Sequence, residues 1–254
     1  MADITFRQYH DENDIFHKDF KLTFSMCNKN KKISLAQLLL LTTDTAVEDY
    51  HQRGYTWDML YENHMFILLS RVSFHFINRP VTNQFITVET WEEKPDSIQL
   101  NRKYRIVDTN TKEILVTGDS SWMVVNTEKR RIIPAKHFTL RPEPTIKTDF
   151  DGLPLGKIAV PENMDHLATR EIRFSDLDAN AHTNNSRYGD FIMDSLPQSL
   201  QESEFSDIRI NYSHEAVLGE TLDIAANFNG NETIVVGKQD NDTCFEAVLI
   251  KKAD

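Results

Sequence analysis

The stretch 33-ISLAQLLLLTTDTAVEDYHQRG-54 decides how the first half of the chain folds. Its apolar residues, such as Leu38 and Leu41, recur at the three- and four-residue spacing of a helix that buries one face. Ser34 can cap the start of this helix, and Gly54 can end it because glycine readily adopts the left-handed conformation found at helix ends. The sequence therefore predicts one long, largely buried helix over residues 33–54.

The segments around this helix have the alternating pattern that is typical of β-strands. Upstream, residues 3–28 predict imperfect strands with one apolar face, which is formed by Phe20, Leu22, Phe24 and Met26. Downstream, Val, Ile, Phe, Tyr, Trp and Thr alternate with polar residues and predict strands at 65–77, 85–94, 98–108 and 114–126. Because sequential strands with short connections pair antiparallel, the first half is predicted to be a helix followed by an antiparallel sheet.

The second half repeats this order of elements after a segment rich in proline. Residues 134–162 contain five prolines and two glycines with little periodicity, which predicts a linker. The predicted elements that follow are a strand at 168–174, a helix at 184–195 that stops before Pro197, and strands at 205–213, 221–228, 232–239 and 243–251, with a hairpin turn at Asn229-Gly230. The repeated order indicates an internal structural duplication, although no sequence repeat is evident.

Composition excludes several classes of function. The net charge of −11 repels nucleic acid, and no long run of lysine or arginine offsets it. No apolar run reaches the roughly eighteen residues that a membrane-spanning helix needs. The beginning of the sequence lacks signal-peptide and transit-peptide features, so a cytoplasmic protein is expected. Cys27 and Cys244 are far apart in sequence and predict free thiols rather than a metal site or disulfide framework.

The segment 175-SDLDANAHTNNSRYGDFIMDSLP-197 carries the densest chemistry in the chain. Asp176, Asp178, Asn180 and His182 occupy alternate positions, so an extended backbone would place them on one side. Together they offer two carboxylates, an amide and an imidazole beside the predicted start of a helix. Free backbone N–H groups at such a start can stabilise an oxygen that becomes negative.

Other interpretations of the sequence fit less well or stay open. A calcium-binding EF-hand loop needs Gly at its sixth position and Glu at its twelfth, where this sequence has Ala181 and Arg187. Zinc is disfavoured because no second His or Cys lies at a ligand spacing, so no metal is predicted. The segment around Ser120 reads as a strand rather than a nucleophile turn. A polar loop that only caps a helix stays open, in particular for Asp176, Asn184 and Asn185.

The same segment resembles the acyl-acyl carrier protein thioesterases. Their motif reads roughly D-L-D-x-N-x-H-x-N-N-x-x-Y, and residues 176–188 match it at each defined position. Weaker resemblances follow at 89-ETWEEK-94, 102-RKYRIVD-108, 121-SWMVVNTEKRRIIPA-135 and 211-NYSHEAVLGE-220. The resemblance extends from about residue 5 to residue 250 of the chain.

The fold that this resemblance implies is α+β, with two tandem hotdog modules in which a long helix is wrapped by an antiparallel β-sheet. The boundaries would be 1–133 for the first module, 134–165 for the linker and 166–254 for the second module. The first module would hold the acyl chain, and the second would carry the catalytic residues. Because two modules in one chain already supply the internal pairing of hotdog proteins, both a monomer and a homodimer are compatible with this arrangement.

The activity that the resemblance implies is hydrolysis of fatty acyl thioesters of acyl carrier protein, without a cofactor. The catalytic set would be Asp178, Asn180, His182 and Glu215. Glu215 would act as general base with His182, and Asp178 would either orient Asn180 or attack the carbonyl itself. One departure from the plant relatives is Ala216, which stands where many of them carry Cys, so a thiolate nucleophile is not available there.

The remaining expectations concern the substrate and its carrier. The backbone near Asn184 and Asn185 would stabilise the oxyanion, and candidate tunnel residues are Met26, Trp57, Met59 and Phe66. Because carrier proteins are acidic, candidate docking residues are the basic sets Arg102, Lys103 and Arg105, and Lys129, Arg130 and Arg131. The alternatives are a hotdog thioesterase acting on acyl-coenzyme A, a non-catalytic acyl-binding protein and, with less support, a hotdog dehydratase.

Overall fold

The computed structural model of the protein describes residues 6–144 and 152–253. In this part of the chain it contains four α-helices, which are α1 (Leu35–Gln52), α2 (Trp57–Glu62), α3 (Arg187–Ser195) and α4 (Gln198–Gln201). The strands of the first half are β1 (Gln8–His10), β2 (Phe16–Lys21), β3 (Met65–Phe76), β4 (Phe85–Asp96), β5 (Gln99–Asp108), β6 (Ile114–Asn126) and β7 (Arg131–Ile133). Those of the second half are β8 (Asp165–Glu171), β9 (Phe205–Tyr212), β10 (Thr221–Asn229), β11 (Glu232–Gln239) and β12 (Asp242–Lys251).

All twelve strands form one antiparallel sheet. Its order is β1-β2-β4-β5-β6-β3-β9-β12-β11-β10-β8, and β7 pairs with β6 off this path. The two halves join where β3 pairs with β9, over the register from Arg71↔Asn211 to His75↔Asp207. At that seam, Nδ1 of His75 lies 2.8 Å from Oδ1 of Asp207. The predicted antiparallel pairing of sequential strands is confirmed for β4–β5, β5–β6, β10–β11 and β11–β12. It is wrong for β3 and β9, which pair with β6 and β12 instead of with the strands that follow them in sequence, and the two predicted sheets are continuous with each other.

The alternation of apolar residues located the long strands well, and the differences lie at turns. The predictions 114–126 and 232–239 match β6 and β11. The strand predicted at 168–174 ends at Glu171, because Phe174–Asp176 form a short 3-10 turn. In the β10–β11 hairpin, Asn229 still pairs with Glu232, so the two turn residues are Gly230 and Asn231 rather than the predicted Asn229-Gly230.

The two main helices differ in length. In α1, Ser34 caps the first turn by accepting a hydrogen bond from the Gln37 backbone N–H, and Gly54 beyond its end has a left-handed φ of 84°, as the sequence predicted. The helix predicted at 184–195 begins only at Arg187 and has 9 residues. The second half therefore lacks the long helix predicted for it. The cause is a hydrogen-bonded turn over residues 184–186 at its start and Pro197 beyond its end, which favours an extended Leu196.

One hydrophobic core spans both halves of the chain. It contains apolar residues from both main helices and from strands of both halves, including Leu38, Ile86, Phe191, Ile210 and Leu249. The upstream prediction is corrected at Phe24, which is 85% exposed because residues 24–26 form a 3-10 turn instead of a strand. Parts of the predicted linker pack on the sheet, since Phe138 and Ile158 are buried against it. Residues 145–151 of the predicted linker lie outside the described residues.

A structural repeat that the sequence hides links the two halves. The segments 22-LTFSMCNKNKKIS-34 and 172-IRFSDLDANAHTN-184 have the same backbone course, from a 3-10 turn through a tight loop to the start of a helix. Equivalent isolated bridges join Cys27 to Ile33 and Leu177 to Thr183. The two segments therefore share their backbone hydrogen bonds, although most of their side chains differ.

The loop at the centre of this repeat is held by the same three backbone features in each half. Lys31 and Ala181 have left-handed φ angles of 61° and 62°. The backbone N–H of residue 28 donates to the carbonyl of Lys32 at 2.8 Å, and that of residue 178 donates to the carbonyl of His182 at 2.9 Å. Lys32 bridges to Val81 as His182 bridges to Val217. Position by position, Asn28, Asn30, Lys32 and Arg79 thus correspond to Asp178, Asn180, His182 and Glu215.

Gly189 provides a test of how the helices meet. A Cβ at this position would lie 2.8 Å from the backbone nitrogen and 3.0 Å from Cα of Ala36, at the start of α1. Because backbone atoms cannot move aside cheaply, we expect Gly189→Ala to reduce the free energy of unfolding by ~1–3 kcal/mol in urea titrations. Gly156→Ala is the matched control, since its nearest neighbour would be the Arg209 guanidinium at 4.0 Å. Equal stability of the two variants would contradict this packing.

Candidate active site

The loop of residues 178–182 is closed on itself and attached to the sheet. The Asp178 N–H donates to the His182 carbonyl at 2.9 Å, and the left-handed Ala181 allows the chain to reverse between them. Thr183 then donates from both its backbone N–H and its hydroxyl to the Ala216 carbonyl, at 2.9 and 2.8 Å. These bonds bring the predicted motif next to the segment before β10 that contains Glu215.

His182 and Glu215, two of the predicted catalytic residues, lie in contact. Nε2 of His182 lies 3.3 Å from Oε2 of Glu215, although 33 positions separate the two in sequence. Their side chains are 41% and 54% exposed, so water reaches both. A carboxylate and an imidazole in contact and open to water can remove a proton from a water molecule and share it.

Asp178 and Asn180 lie on the same loop and are linked to each other. Oδ1 of Asp178 accepts a hydrogen bond from the Asn180 backbone N–H at 2.8 Å. This contact fixes the turn on which Asn180 sits and leaves the Asn180 side-chain amide exposed. The amide is a hydrogen-bond donor that does not titrate, which suits it to hold a carbonyl oxygen.

Asn184 and Asn185 differ in what their backbones can offer. The N–H of Asn184 already donates to the Asp176 carbonyl at 2.9 Å, so it is not available to an oxyanion. Its side-chain oxygen accepts from the N–H and hydroxyl of Ser186, at 2.9 and 2.7 Å, and thereby shapes the start of α3. Within the described part of the chain, the N–H of Asn185 has no hydrogen-bond acceptor.

Asp176 is a buried anchor rather than a surface turn residue. Both carboxylate oxygens of Asp176 accept hydrogen bonds from Nη2 of Arg170, at 3.0 and 3.1 Å. Oδ2 also accepts a hydrogen bond from the Arg173 backbone N–H at 2.9 Å. Its side chain has no exposed surface. In the first half of the chain the equivalent position is Met26, so this anchor is present only in the half that carries His182.

A mainly apolar cavity of about 280 Å³ reaches this loop. It lies in the first half of the chain, between α1, α2 and strands β3–β6, and Asn180 forms part of its lining. The other lining residues are Ala46, Val47, Tyr50, His51, Tyr55, Trp57, Leu60, Met65, Phe66, Ile67, Glu92, Leu100, Arg102 and Trp122. Asn180 is the only one of them from the second half, so the cavity connects the candidate catalytic loop with the first half.

Two of the four predicted tunnel residues line this cavity and two do not. Trp57 and Phe66 line the cavity. Met26, at the end of a 3-10 turn, instead packs against the main core, and Met59 on α2 is not among the lining residues of the cavity. Sequence reasoning missed most of the lining because it comes from α1 and from four strands that meet only in the folded chain. The sequence feature that could have indicated the cavity is the small Ala46, which is followed on α1 by the polar residues Tyr50 and His51.

A polar wall closes one side of this cavity. It consists of Tyr50, Glu92 and Arg141, in which the Tyr50 hydroxyl donates to Oε1 of Glu92 at 2.6 Å. Arg141 donates to the same Oε1 at 2.9 Å and to the Tyr50 oxygen at 3.1 Å. Burial, with a contribution from the Glu92 carboxylate, raises the pKa of Tyr50, which therefore stays protonated and donates. A second cavity of about 340 Å³ lies beyond the wall.

The two basic sets predicted for docking have different environments. Arg102 is only 4% exposed and is paired with Asp49 at 2.8 Å, because it belongs to the interior beside the polar wall. Lys103 is paired with Asp119, and Arg105 with Glu89 at 2.8 Å, so this set does not form a free basic surface. Lys129 and Arg130 lie on the turn between β6 and β7, Arg131 is the first residue of β7, and all three are exposed.

Comparison with known proteins places the chain in a family. The family model of the acyl-ACP thioesterase N-terminal domain matches residues 13–137, and that of the acyl-ACP thioesterase C-terminal domain matches residues 161–246. The chain belongs to the acyl-ACP thioesterase family. In the part of this family member that the structure describes, no helix is both long and apolar enough to cross a membrane.

Individual members of the acyl-ACP thioesterase family resemble the chain at low identity. A chloroplastic palmitoyl-acyl carrier protein thioesterase of Cuphea hookeriana is 24% identical over 217 residues, which cover 79% of this chain and 52% of the relative. The chain thus spans about half the length of that relative.

Two solved structures share the fold. An acyl-ACP thioesterase from Bacteroides thetaiotaomicron superposes with a TM-score of 0.81 at 22% identity, covering 95% of this chain and 99% of the other. The 12:0-ACP thioesterase from Umbellularia californica superposes with a TM-score of 0.77 at 18% identity, covering 94% and 98%.

Proposed function

We propose that the protein hydrolyses fatty acyl thioesters of acyl carrier protein, releasing the fatty acid and the carrier thiol. The observation that carries this proposal is that His182, 3.3 Å from Glu215, lies on the same loop as Asn180, which lines an apolar cavity. Such a site offers a base for water next to a space for an acyl chain. Family membership supports the same substrate class.

The architecture that we infer is a pair of hotdog modules over 1–133 and 166–254, joined by the linker 134–165. The repeated loop and its equivalent backbone bonds support this division. Only the second module carries the acid–base set, because Lys32 and Arg79 take the places of His182 and Glu215 in the first. The first module keeps the long helix α1 and the apolar cavity, which fits a division of labour between chain binding and catalysis.

In the proposed mechanism, Glu215 removes a proton from a water molecule that attacks the thioester carbonyl. His182, in contact with Glu215, positions the water and shares the proton. The carbonyl oxygen becomes negative in the tetrahedral intermediate, and the Asn180 amide and the free N–H of Asn185 are the donors proposed to stabilise it. The carbon–sulfur bond then breaks, and the carrier leaves as a thiol after it receives the proton.

Asp178 has two possible roles, of which we favour orientation. Its Oδ1 accepts the Asn180 N–H, so the carboxylate is already used to shape the loop. The alternative is that Asp178 attacks the carbonyl and forms an acyl-enzyme intermediate. The same loop geometry occurs in the first module with Asn28, whose side-chain oxygen accepts the Asn30 N–H at 3.0 Å without any nucleophilic carboxylate.

For the carrier we propose docking at the basic turn of Lys129, Arg130 and Arg131. This turn follows β6, and the last residue of β6, Asn126, pairs with the cavity-lining Met65. Charge complementarity with an acidic carrier protein supports it, as does the exposure of all three side chains. A monomer and a homodimer are both compatible with this surface. Localisation in the cytoplasm is part of the proposal, and the free thiols of Cys27 and Cys244 support a reducing compartment.

The carrier preference can be measured directly. We expect a higher kcat/KM for acyl thioesters of acyl carrier protein than for the matching acyl-coenzyme A thioesters. Changing Lys129, Arg130 and Arg131 together to Ala should raise KM for the carrier-protein substrate only, because coenzyme A does not present an acidic protein surface. Equal kcat/KM for both carriers would instead favour the acyl-coenzyme A thioesterase, and binding of fatty acid without any turnover would favour the acyl-binding protein.

A further inference from the structure

We propose that the polar wall of Tyr50, Glu92 and Arg141 ends the acyl site and restricts the enzyme to medium-length acyl chains, which makes Glu92 and Arg141 specificity-determining residues. This inference rests on the proposed function, because it assigns the substrate class of the same site.

The wall stands between the two cavities. Glu92 lines both of them, as does the neighbouring Tyr55, whereas Tyr50 lines the first and Arg141 lines the second. The three side chains are joined by the hydrogen bonds of 2.6, 2.9 and 3.1 Å already described. A chain that enters from Asn180 therefore meets these hydrogen-bonded side chains on the side that faces the second cavity.

The groups of the wall are buried and mutually satisfied, so an acyl chain has little to gain by displacing them. The side chains of Arg141 and Glu92 are largely withdrawn from solvent. Behind them, Asp49 is held by Arg102 at 2.8 Å and by Arg53 at 2.7 Å. A methyl end that pushed between these groups would break a buried ion pair and leave charges without partners, which is strongly unfavourable.

The second cavity differs in character from the first. Its lining is dominated by charged side chains, namely Asp14, Asp49, Arg53, Glu92, Arg141 and Glu143. Hydrocarbon that entered it would replace water around these groups without making hydrogen bonds to them. The cavity is therefore unsuited to a saturated chain as long as the wall and its neighbours keep their charges.

The space on the near side of the wall limits the chain to a medium length. At roughly 30 Å³ for one water molecule in the liquid, and with a methylene group of similar size, the first cavity of about 280 Å³ holds on the order of ten such groups. This corresponds to acyl chains between octanoyl and dodecanoyl. If the wall were opened, the second cavity would more than double the enclosed volume.

The test measures binding of free saturated fatty acids, from hexanoic to stearic, to the full-length protein by calorimetry. We expect wild-type affinity to be highest for the medium chains and to fall for palmitic acid. The variant Glu92→Leu/Arg141→Leu removes one charge of each sign and replaces the wall with apolar side chains. Its affinity maximum should move to longer chains, with a gain of about tenfold or more for palmitic acid as additional methylenes are buried.

The matched control is Arg7→Leu/Asp19→Leu. Asp19 is also a buried carboxylate that accepts from a hydroxyl, Thr87 at 2.7 Å, and from an arginine, Arg7 at 3.0 Å, but neither cavity is lined by this pair. It should leave the chain-length profile unchanged. Circular dichroism shows whether the double wall variant folds. If it does not fold, Arg141→Met provides the test, because methionine keeps the aliphatic part of the side chain and removes the guanidinium. This variant should shift the chain-length profile in the same direction.

Two results would overturn the inference. One is a wild-type preference for palmitic or stearic acid over dodecanoic acid. The other is a folded wall variant with the wild-type profile. Because the readout is binding, it does not depend on turnover: a wild type that binds medium chains as expected but hydrolyses no thioester would contradict the proposed function while supporting the assignment of the wall.

Discussion

Glu215→Gln should lower kcat for thioester hydrolysis by ~10²–10⁴-fold and leave KM nearly unchanged. The amide has almost the shape of the carboxylate and can still contact His182, but it cannot accept the proton of the attacking water. The side chain is 54% exposed and holds no buried structure, so the variant should fold and bind acyl chains like the wild type. Steady-state kinetics with acyl-carrier-protein substrates measure both constants.

The control for this variant is Glu171→Gln at the end of β8. Glu171 is also an exposed carboxylate, and its nearest charged contact is Arg173 at 3.8 Å. It should keep wild-type kcat. A Glu215→Gln enzyme with wild-type kcat would remove Glu215 from the mechanism and transfer the role of general base to His182 or Asp178.

Asp178→Ala should also reduce kcat strongly, by ~10²-fold, whereas Asp178→Asn should retain most of the activity. Alanine removes the acceptor of the Asn180 N–H, so the loop and the Asn180 amide lose their fixed position, and small misplacements of catalytic groups are costly. Asparagine keeps an oxygen at the position of Oδ1 and can preserve that hydrogen bond. The pair of variants therefore separates orientation from chemistry at Asp178.

A nucleophilic Asp178 gives the opposite pattern. An amide cannot form the acyl-enzyme intermediate, so Asp178→Asn would then be as inactive as Asp178→Ala. Mass spectrometry of the wild-type protein after rapid acid quenching provides an independent check. The orientation role predicts no acyl adduct, and an adduct on Asp178 would contradict it.

The local pattern of apolar and capping residues was sufficient to predict the helices and strands that bury one face. The alternation in 114–126 predicted β6 with its bounds, and Ser34 and Gly54 marked both ends of α1, because strand pairing and helix capping depend on neighbouring residues. The start of α3 was predicted three residues early, since the turn at Asn184 depends on the Asp176 carbonyl and on the Ser186 side chain.

Features that depend on distant contacts were not predictable from the sequence. Glu92 and Arg141 are 49 positions apart and meet only in the folded chain. The burial of Asp176 against Arg170 is likewise invisible in a polar run that reads as a loop. The duplication was predicted only from the order of elements, because the repeated loop conserves its backbone bonds while the residues at positions 178, 182 and 215 differ from their counterparts at 28, 32 and 79.

The proposed hydrolysis is tested most directly by measuring the release of free fatty acid from acyl thioesters of acyl carrier protein. The wild type and Glu215→Gln are compared side by side, with mass spectrometry as the detection method. We expect the wild type to release fatty acid catalytically. We expect Glu215→Gln to be folded and to bind fatty acid, but to release none from the thioesters. A folded wild type that releases no fatty acid from any thioester of the panel would contradict the proposed mechanism, as would release that is equally fast in the variant.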